Sequence, residues 1–310
     1  MDTVYILGAG FSMPFLPDQR HLLETLFHFT MLASNMPDME FFASQGTLRT
    51  WFEEQFGHQY SAVWLEDVFT WFDHVADTVP PTDDVRRIQS LRRQLNFALA
   101  YYFIQAPQRA SAIMRRRLTA MQQRSSLKGV MSLNWDVLLE RTGRRFDYGL
   151  AAYDTMGRQL TGRRIPLLKL HGSAHWWICA KCRSVLCDES LQLFFETRCP
   201  VCRKDHTQFD PILMTPTLMK NPSQGVLAEV WRLAFITLAQ AEEIIFLGYS
   251  LPQADHALFH LVSQARRPDA IIRAVLLDRD RQSLTEQRYQ TLIPGISLDF
   301  GGIDAFFGLE

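Results

Sequence analysis

Hydrophobic positions along this chain follow two rhythms. The first is the short unbroken apolar run of a strand covered on both faces: "TVYIL" at the start, "KGVMSL" ahead of Asn134, "RIPLLKL" ahead of His171, "AEEIIFL" ahead of Gly248, "DAIIRAVLL" ahead of Asp278, and a weaker "GISLDF" near the C-terminus. The second is the three-to-four residue spacing of an amphipathic helix. It runs through "HLLETLFHFTMLA", "VWLEDVFTWFDHVADTV" and "LRRQLNFALAYYFIQA", with "PPTDD" as a turn and N-cap signal, and returns between the later strands in "QGVLAEVWRLAFITLAQAEE" and "DHALFHLVSQARR". From about Met13 to Ser125 the helical rhythm stands alone. Elsewhere strands alternate with helices, which predicts a doubly wound parallel sheet, with ligands bound beyond the carboxyl ends of its strands. The expected division is an α/β domain of residues 1–13, 126–172 and 211–310, a helical insertion of residues 14–125, and a cysteine-bearing piece of residues 173–210.

The ends of the predicted strands hold "GAGFS", "NWD", "HGS", "GYS" and "DRD", so the polar residues of interest collect on one edge. "GAGFS" has two glycines of a dinucleotide fingerprint, with Met13 where a third would stand, and it reads as a plain tight turn or as a phosphate-approaching one. In the second case Gly8 and Gly10 let backbone approach a pyrophosphate, with Ser12 and the following amides as donors. Asp278 is a candidate for an adenosine ribose, or an ordinary helix N-cap. Asn134 can hold a carboxamide or a water through donor and acceptor together, and histidine, as the residue type whose unperturbed pKa suits a general base, makes His171 a candidate for that role or a satisfied core histidine. Asp136 closes the same strand end as Asn134.

Four of the five cysteines form two CxxC pairs, Cys179 with Cys182 and Cys199 with Cys202, separated by sixteen residues. Two knuckles at this spacing present four thiolates in tetrahedral zinc geometry. Such a shell is closed, so the zinc is expected to be structural and to take no part in catalysis. Cys187 is surplus, and neither His175 nor His206 is needed as a ligand.

Composition narrows the picture further. In 310 residues, 32 Lys and Arg against 33 Asp and Glu give a net charge of −1, with no overall field to draw in nucleic acid or an anionic membrane. The arginine clusters in "DDVRRIQSLRRQL" and "AIMRRRLTA" are read as wet faces of amphipathic helices, and the aromatics of "VWLEDVFTWFDHV" as core packing. No apolar run of about 18 residues is present, nor a basic leader with a cleavage site, so a soluble, cytoplasmic protein is expected.

The ordered set "GAGFS", "SLNWD", "LHGS", paired CxxC, "LGYSL" and "VLLDRD" resembles the sirtuin superfamily across nearly the whole chain apart from the helical insertion. "GYSLPQAD" and "TPTLMK" are similar to the divergent prokaryotic sirtuin-like branch. The resemblance implies a Rossmann-like NAD-binding domain with a helical insertion and a small four-cysteine zinc ribbon, cleaving the nicotinamide glycosidic bond between them. It implies NAD contacts at Gly8, Ala9, Gly10, Phe11, Ser12, Gly248, Tyr249 and Ser250. By the same likeness Asn134 orients the ribose or the attacking water, Asp136 supports the nicotinamide pocket, and His171 is the general base. Two departures stand out. "SMPFLPDQR" replaces the deacylase loop after the glycine turn, with Pro14 and Arg20 as loose equivalents. "FDPILMTPTLMK" replaces the phenylalanine-glycine-glutamate segment that pairs with an acyl-lysine peptide. The expectation is therefore an NAD glycohydrolase, with antiphage defence and regulation by self-assembly or a partner chain such as an ATPase implied by the branch. A protein deacylase or ADP-ribosyltransferase, and a non-catalytic NAD or ADP-ribose scaffold, are the alternatives.

Overall fold

The fold is that of a computed structural model, which describes residues 1–13, 15–16, 22–26, 45–57, 63–78, 82–105, 110–160, 165–215, 225–252 and 255–309. Pro14, Arg20, most of "HLLETLFHFTMLA" and most of "TPTLMK" lie outside the described residues.

The first apolar run forms β1 (Asp2–Leu7), which turns directly into a single helical turn, α1 (Ala9–Ser12). Helical residues 22–26 follow, then α2 (Gln45–Phe56), α3 (Leu65–Thr78), α4 (Asp83–Ile104) and α5 (Ala110–Arg124), which leads into β2 (Ser126–Ser132). The "PPTDD" signal works as expected: the Thr82 hydroxyl caps α4 by accepting from the Val85 amide. Next come β3 (Phe146–Asp147), β4 (Ala152–Tyr153), β5 (Ile165–Lys169), β6 (Gly172–Cys179), β7 (Val185–Cys187), the short α6 (Gln192–Phe195) and β8 (Phe209–Leu213). The chain closes with α7 (Leu227–Ala239), β9 (Glu243–Leu247), α8 (His256–Ala265), β10 (Ile271–Val275), α9 (Leu284–Leu292), β11 (Ser297–Asp299) and α10 (Gly302–Phe306).

Seven strands form one sheet in the order β11-β10-β9-β1-β2-β5-β3, with every pair parallel. Leaving aside the two-residue β3, this is the 3-2-1-4-5-6 order of dinucleotide-binding sheets, and the order reverses between β1 and β9. Alternate residues of each central strand enter opposite cores, as period-two geometry requires. Tyr5, Leu7, Val130, Ile245 and Leu247 pack with the helical insertion, whereas Val4, Ile6, Met131, Ile244 and Phe246 pack with α7 and α8.

The expected core stripe in α3 is seen, with Val68, Phe69 and Phe72 fully buried. The wet-face reading of the arginines fails at one position. Arg117 of α5 is buried, with its guanidinium paired to Asp304 of α10 and donating to the Phe11 carbonyl at 2.5 Å. A cation enters the core here because three oxygens satisfy its fork.

A second sheet, in the order β4-β7-β6-β8, carries the cysteines. Its long strand β6 is buried along its whole length. α4 packs against β6 and β8, and Trp177 meets Phe97 of α4 at 5.6 Å between ring centroids.

Candidate functional site

The carboxyl ends of β1, β2, β5 and β9 meet at the reversal point. Backbone hydrogen bonds continue past the strands, from Leu133 to Leu7 O and from Leu170 to Ser132 O, so the loops leave from a fixed platform. Gly8 and Gly10 pack on Gly248: the Gly10 amide donates to Gly248 O at 2.8 Å and the Gly8 amide to Leu247 O at 3.1 Å. A Cβ on Gly8 would sit 2.6 Å from Tyr249 Cα, and one on Gly248, whose φ is +59°, would strike the Phe11 amide nitrogen. Only glycine allows this approach. Ala9 and Ser250 are exposed and Gly10, Gly248 and Asn134 half-buried, while Phe11, Ser12 and Tyr249 are buried beneath them.

Asn134 joins this floor. Its amide nitrogen donates to Gly8 O at 2.9 Å and to Ser12 Oγ at 3.1 Å, and the Ser12 hydroxyl donates to Asp136 Oδ2 at 2.7 Å. Asp136 accepts from the Leu138 amide through its other oxygen. Burial pushes the Asp136 carboxyl up, against the pull of the nearby Lys169 ammonium and the hydrogen bonds from Ser12 and Leu138. In this position Asp136 fixes Ser12, and through Ser12 the orientation of Asn134.

Behind Asp136 lies a buried brace that the sequence pattern did not reveal. Lys169 of β5 donates to Asp136 O at 2.5 Å and pairs with Glu140 at 3.2 Å. Glu140 also accepts from Ser173, whose oxygen contacts His175 Nδ1 at 3.0 Å. Burial pushes the His175 imidazole down to about 3, against the opposing pull of Glu189, so it is a neutral member of the core.

His171 sits one residue beyond Leu170 at the end of β5. It is buried, and its Nε2 lies 3.7 Å from Asp255 Oδ1, with Asp255 also accepting from the Tyr249 hydroxyl at 2.9 Å. The Met214 amide donates to the His171 carbonyl at 2.8 Å, and Trp231 Nε1 to the Leu170 carbonyl at 2.8 Å. Asp278, by contrast, lies on a 3₁₀ turn beyond β10. Its carboxylate is 85% exposed and paired with Arg281 at 2.6 Å, and Leu277 holds the N-cap position.

The Sγ atoms of Cys179, Cys182, Cys199 and Cys202 all lie within 4.8 Å of one another, the one such group with metal-holding capacity among the described residues. The Cys182 and Cys199 sulfurs are 3.8 Å apart, about the edge of a tetrahedron with zinc–sulfur bonds of ~2.3 Å. The two knuckles are near copies. Cys179 O and Cys199 O accept from the amides of Arg183 and Arg203, both at positive φ, and each knuckle closes as the Cys179 amide donates to Ser184 O and the Cys199 amide to Lys204 O. Burial pushes the Cys199 thiol up to about 12. Cys182 sits at about 6, its burial outweighed by Ser184 and the other thiols. Thiols this crowded cannot all ionise without a cation among them, and the donor set suits zinc. His175 and His206 are not in the group.

The strand order and the glycine contact define a doubly wound α/β protein of the dinucleotide-binding type. No protein-family model and no curated protein matches the chain. Solved structures do. A Sir2 homologue in complex with NAD aligns over 100% of this chain and 88% of its own, at 17% identity and a TM-score of 0.50. A Sir2–p53 peptide–NAD⁺ complex aligns over 99% and 90%, at 16% identity and a TM-score of 0.47. Sir2 bound to an acetylated peptide aligns over 100% and 94%, at 14% identity and a TM-score of 0.44. The chain therefore has a sirtuin-like fold, comprising the seven-stranded parallel sheet and a small four-cysteine module. Among the described residues, no helix is long and apolar enough to cross a membrane.

Proposed function

We propose that the protein is an NAD glycohydrolase, converting NAD and water to ADP-ribose, nicotinamide and a proton. The observation that carries this reading is the placement of Asn134 and His171 at the ends of the neighbouring strands β2 and β5, beside the Gly8–Gly10–Gly248 contact. In this reading Gly8, Ala9, Gly10, Phe11, Ser12, Gly248, Tyr249, Ser250 and Asp278 bind NAD. Because nicotinamide leaves neutral, the transition state is oxocarbenium-like, and the enzyme must chiefly stabilise positive charge on the ribose and place a water. Asn134 places the water. His171 takes the proton from that water or from a ribose hydroxyl, and the oxygen keeps the electron pair that attacks the anomeric carbon.

Hydrolysis is favoured over transfer to an acyl-lysine peptide by the state of β8, an end strand of the smaller sheet. Arg93 of α4 occupies its Phe209 carbonyl and Asp210 carboxylate, and Pro211 has no N–H to offer an added peptide strand. The sequence resemblance adds an antiphage role, with control by self-assembly or by a partner chain such as an ATPase.

The test is product identification by chromatography after incubating the purified protein with NAD, with and without an acetylated peptide. Peptide-independent release of nicotinamide and ADP-ribose, lost in Asn134→Ala and His171→Ala, is expected. Release that requires the peptide would replace hydrolysis with transfer. Binding of NAD without turnover would leave the scaffold reading.

A further inference from the structure

Asp255 occupies the N-cap position of α8, where a carboxylate ordinarily accepts from the first free amides of the helix. It makes no such bond. The side chain turns the other way and is buried, with one oxygen accepting from the Tyr249 hydroxyl at 2.9 Å and the other 3.7 Å from His171 Nε2. Tyr249 is itself fixed, because the Tyr289 hydroxyl of α9 donates to its carbonyl at 2.8 Å. Burial, followed by the Asp255 charge, pushes the Tyr249 phenol well above its ordinary range, so it stays a neutral donor. A stabilising helix cap is given up and a carboxylate is buried, and both fall on the residue that faces His171.

We propose that Asp255 is the positioning residue of His171, holding the imidazole ring through Nε2 and stabilising the imidazolium formed when the ring accepts a proton. This rests on the reading of His171 as general base. In the step, the O–H bond of water or of a ribose hydroxyl breaks and an N–H bond forms on the ring. Asp255 remains ionised throughout, and the Tyr249 hydroxyl keeps its carboxylate turned toward the ring.

Among the described residues, the other charged and titratable groups on elements packed about His171 differ in kind. Lys169 lies two residues earlier on β5 and is neutralised by Glu140. Asp136 follows β2 and is bound to Ser12. Tyr249 and Tyr289 are buried phenols. Arg288 of α9 reaches the Leu251 carbonyl at 3.5 Å, and His256 of α8 is exposed. Replacing Asp255 thus removes the carboxylate that lies 3.7 Å from the ring while leaving these groups in place.

The experiment is a histidine NMR titration of the zinc-loaded protein without NAD, with the His171 signal assigned by its loss in His171→Gln. A carboxylate this close favours the charged ring, so Asp255→Asn should lower the His171 midpoint by about one pH unit and Asp255→Glu should restore most of it. A midpoint in Asp255→Asn within about 0.3 unit of the parent would overturn the proposal. Should Asp255→Asn fail to fold, the parent decides: the neutral His171 ring should carry its proton on Nε2, and a proton on Nδ1 overturns the assignment. With NAD, the acidic limb of kcat should move to lower pH in Asp255→Asn, and kcat should fall about tenfold or more. Absence of turnover in the parent would count against the glycohydrolase reading and leave the titration to judge Asp255 alone.

Discussion

Replacing Lys169 by methionine probes the brace behind the site. The Lys169 side chain is 1% exposed and that of Glu140 3%, and the second Glu140 oxygen has no partner. Removing the ammonium leaves a buried carboxylate with the 3.4 Å Ser173 hydroxyl and the neutral His175 ring at 3.8 Å, and leaves Asp136 O without its donor. Breaking one side of a buried pair costs about 3–5 kcal/mol. For a chain of this size 1 kcal/mol corresponds to roughly 2 °C, so Lys169→Met should melt about 6–10 °C below the parent. Changing Glu140→Leu in the same protein removes the stranded charge as well. Only the lost donor to Asp136 O and the lost partner of Ser173 remain, about 1–2 kcal/mol, so the double variant should recover to within about 2–4 °C of the parent. Thermal unfolding followed by tryptophan fluorescence and circular dichroism measures both. A single variant that melts with the parent, or a double variant no better than the single, would refute this account of the brace.

Gly248→Ala should weaken ADP-ribose binding about tenfold or more in calorimetry and lower the melting temperature, since an alanine at φ +59° costs about 1–2 kcal/mol before the Phe11 amide is moved. Unchanged affinity would separate the glycine contact from nucleotide binding. His175, depressed to about 3 in the fold against an ordinary 6.5, contributes stability that is complete above about pH 6.5 and is lost as the pH falls toward 3. The loss reaches about 2 kcal/mol at pH 5, and His175→Gln should show a urea midpoint that falls less between pH 7.5 and 5 than the parent's. Metal analysis should find one zinc per chain, and a strong chelator should lower the melting temperature, with Cys199→Ser doing the same.

Five strands of the large sheet were legible as apolar runs, the sixth, β11, gave only the weak signal of a short, largely exposed strand, and the cysteine spacing foretold four sulfurs within one tetrahedron's reach. The long strand β6 was not. "GSAHWWIC" reads as mixed because Ser173 and His175 are polar, and their burial is matched by Glu140, on the 3₁₀ turn after β2, which accepts the Ser173 hydroxyl and lies 3.8 Å from the His175 ring. The same cause hid the remaining polar partners. Arg117 looks like one more surface arginine until Asp304, 187 residues away, comes beside it, and Asp136 meets Ser12 across 124 residues. Asp255 sits where a helix begins, a position at which a local pattern suggests no more than a cap. Of its actual partners, Tyr249 is six residues away, and His171 reaches it only because the fold brings the end of β5 beside α8. Periodicity reports which face of an element is buried; it carries no information about which buried polar groups meet.

The position of His171 between the two sheets gives the zinc module its bearing on the proposed chemistry. The residue before it is bonded into the large sheet, through the Leu170 amide to Ser132 O. The residue after it opens the small one, where Gly172 takes φ +78° and packs so closely on the Ile212 carbonyl that no Cβ could be fitted. The small sheet also grips His171 itself through the Met214 amide, and it ties the Asn134 loop through the Ala174 amide to Trp135 O at 2.9 Å. At its far end β6 finishes on Cys179, the first thiol of the metal group. A closed four-sulfur shell leaves no position for water. What it fixes is the far end of a buried strand whose near end begins beside His171, so loss of the metal should reach the site as a displaced base rather than as a missing Lewis acid.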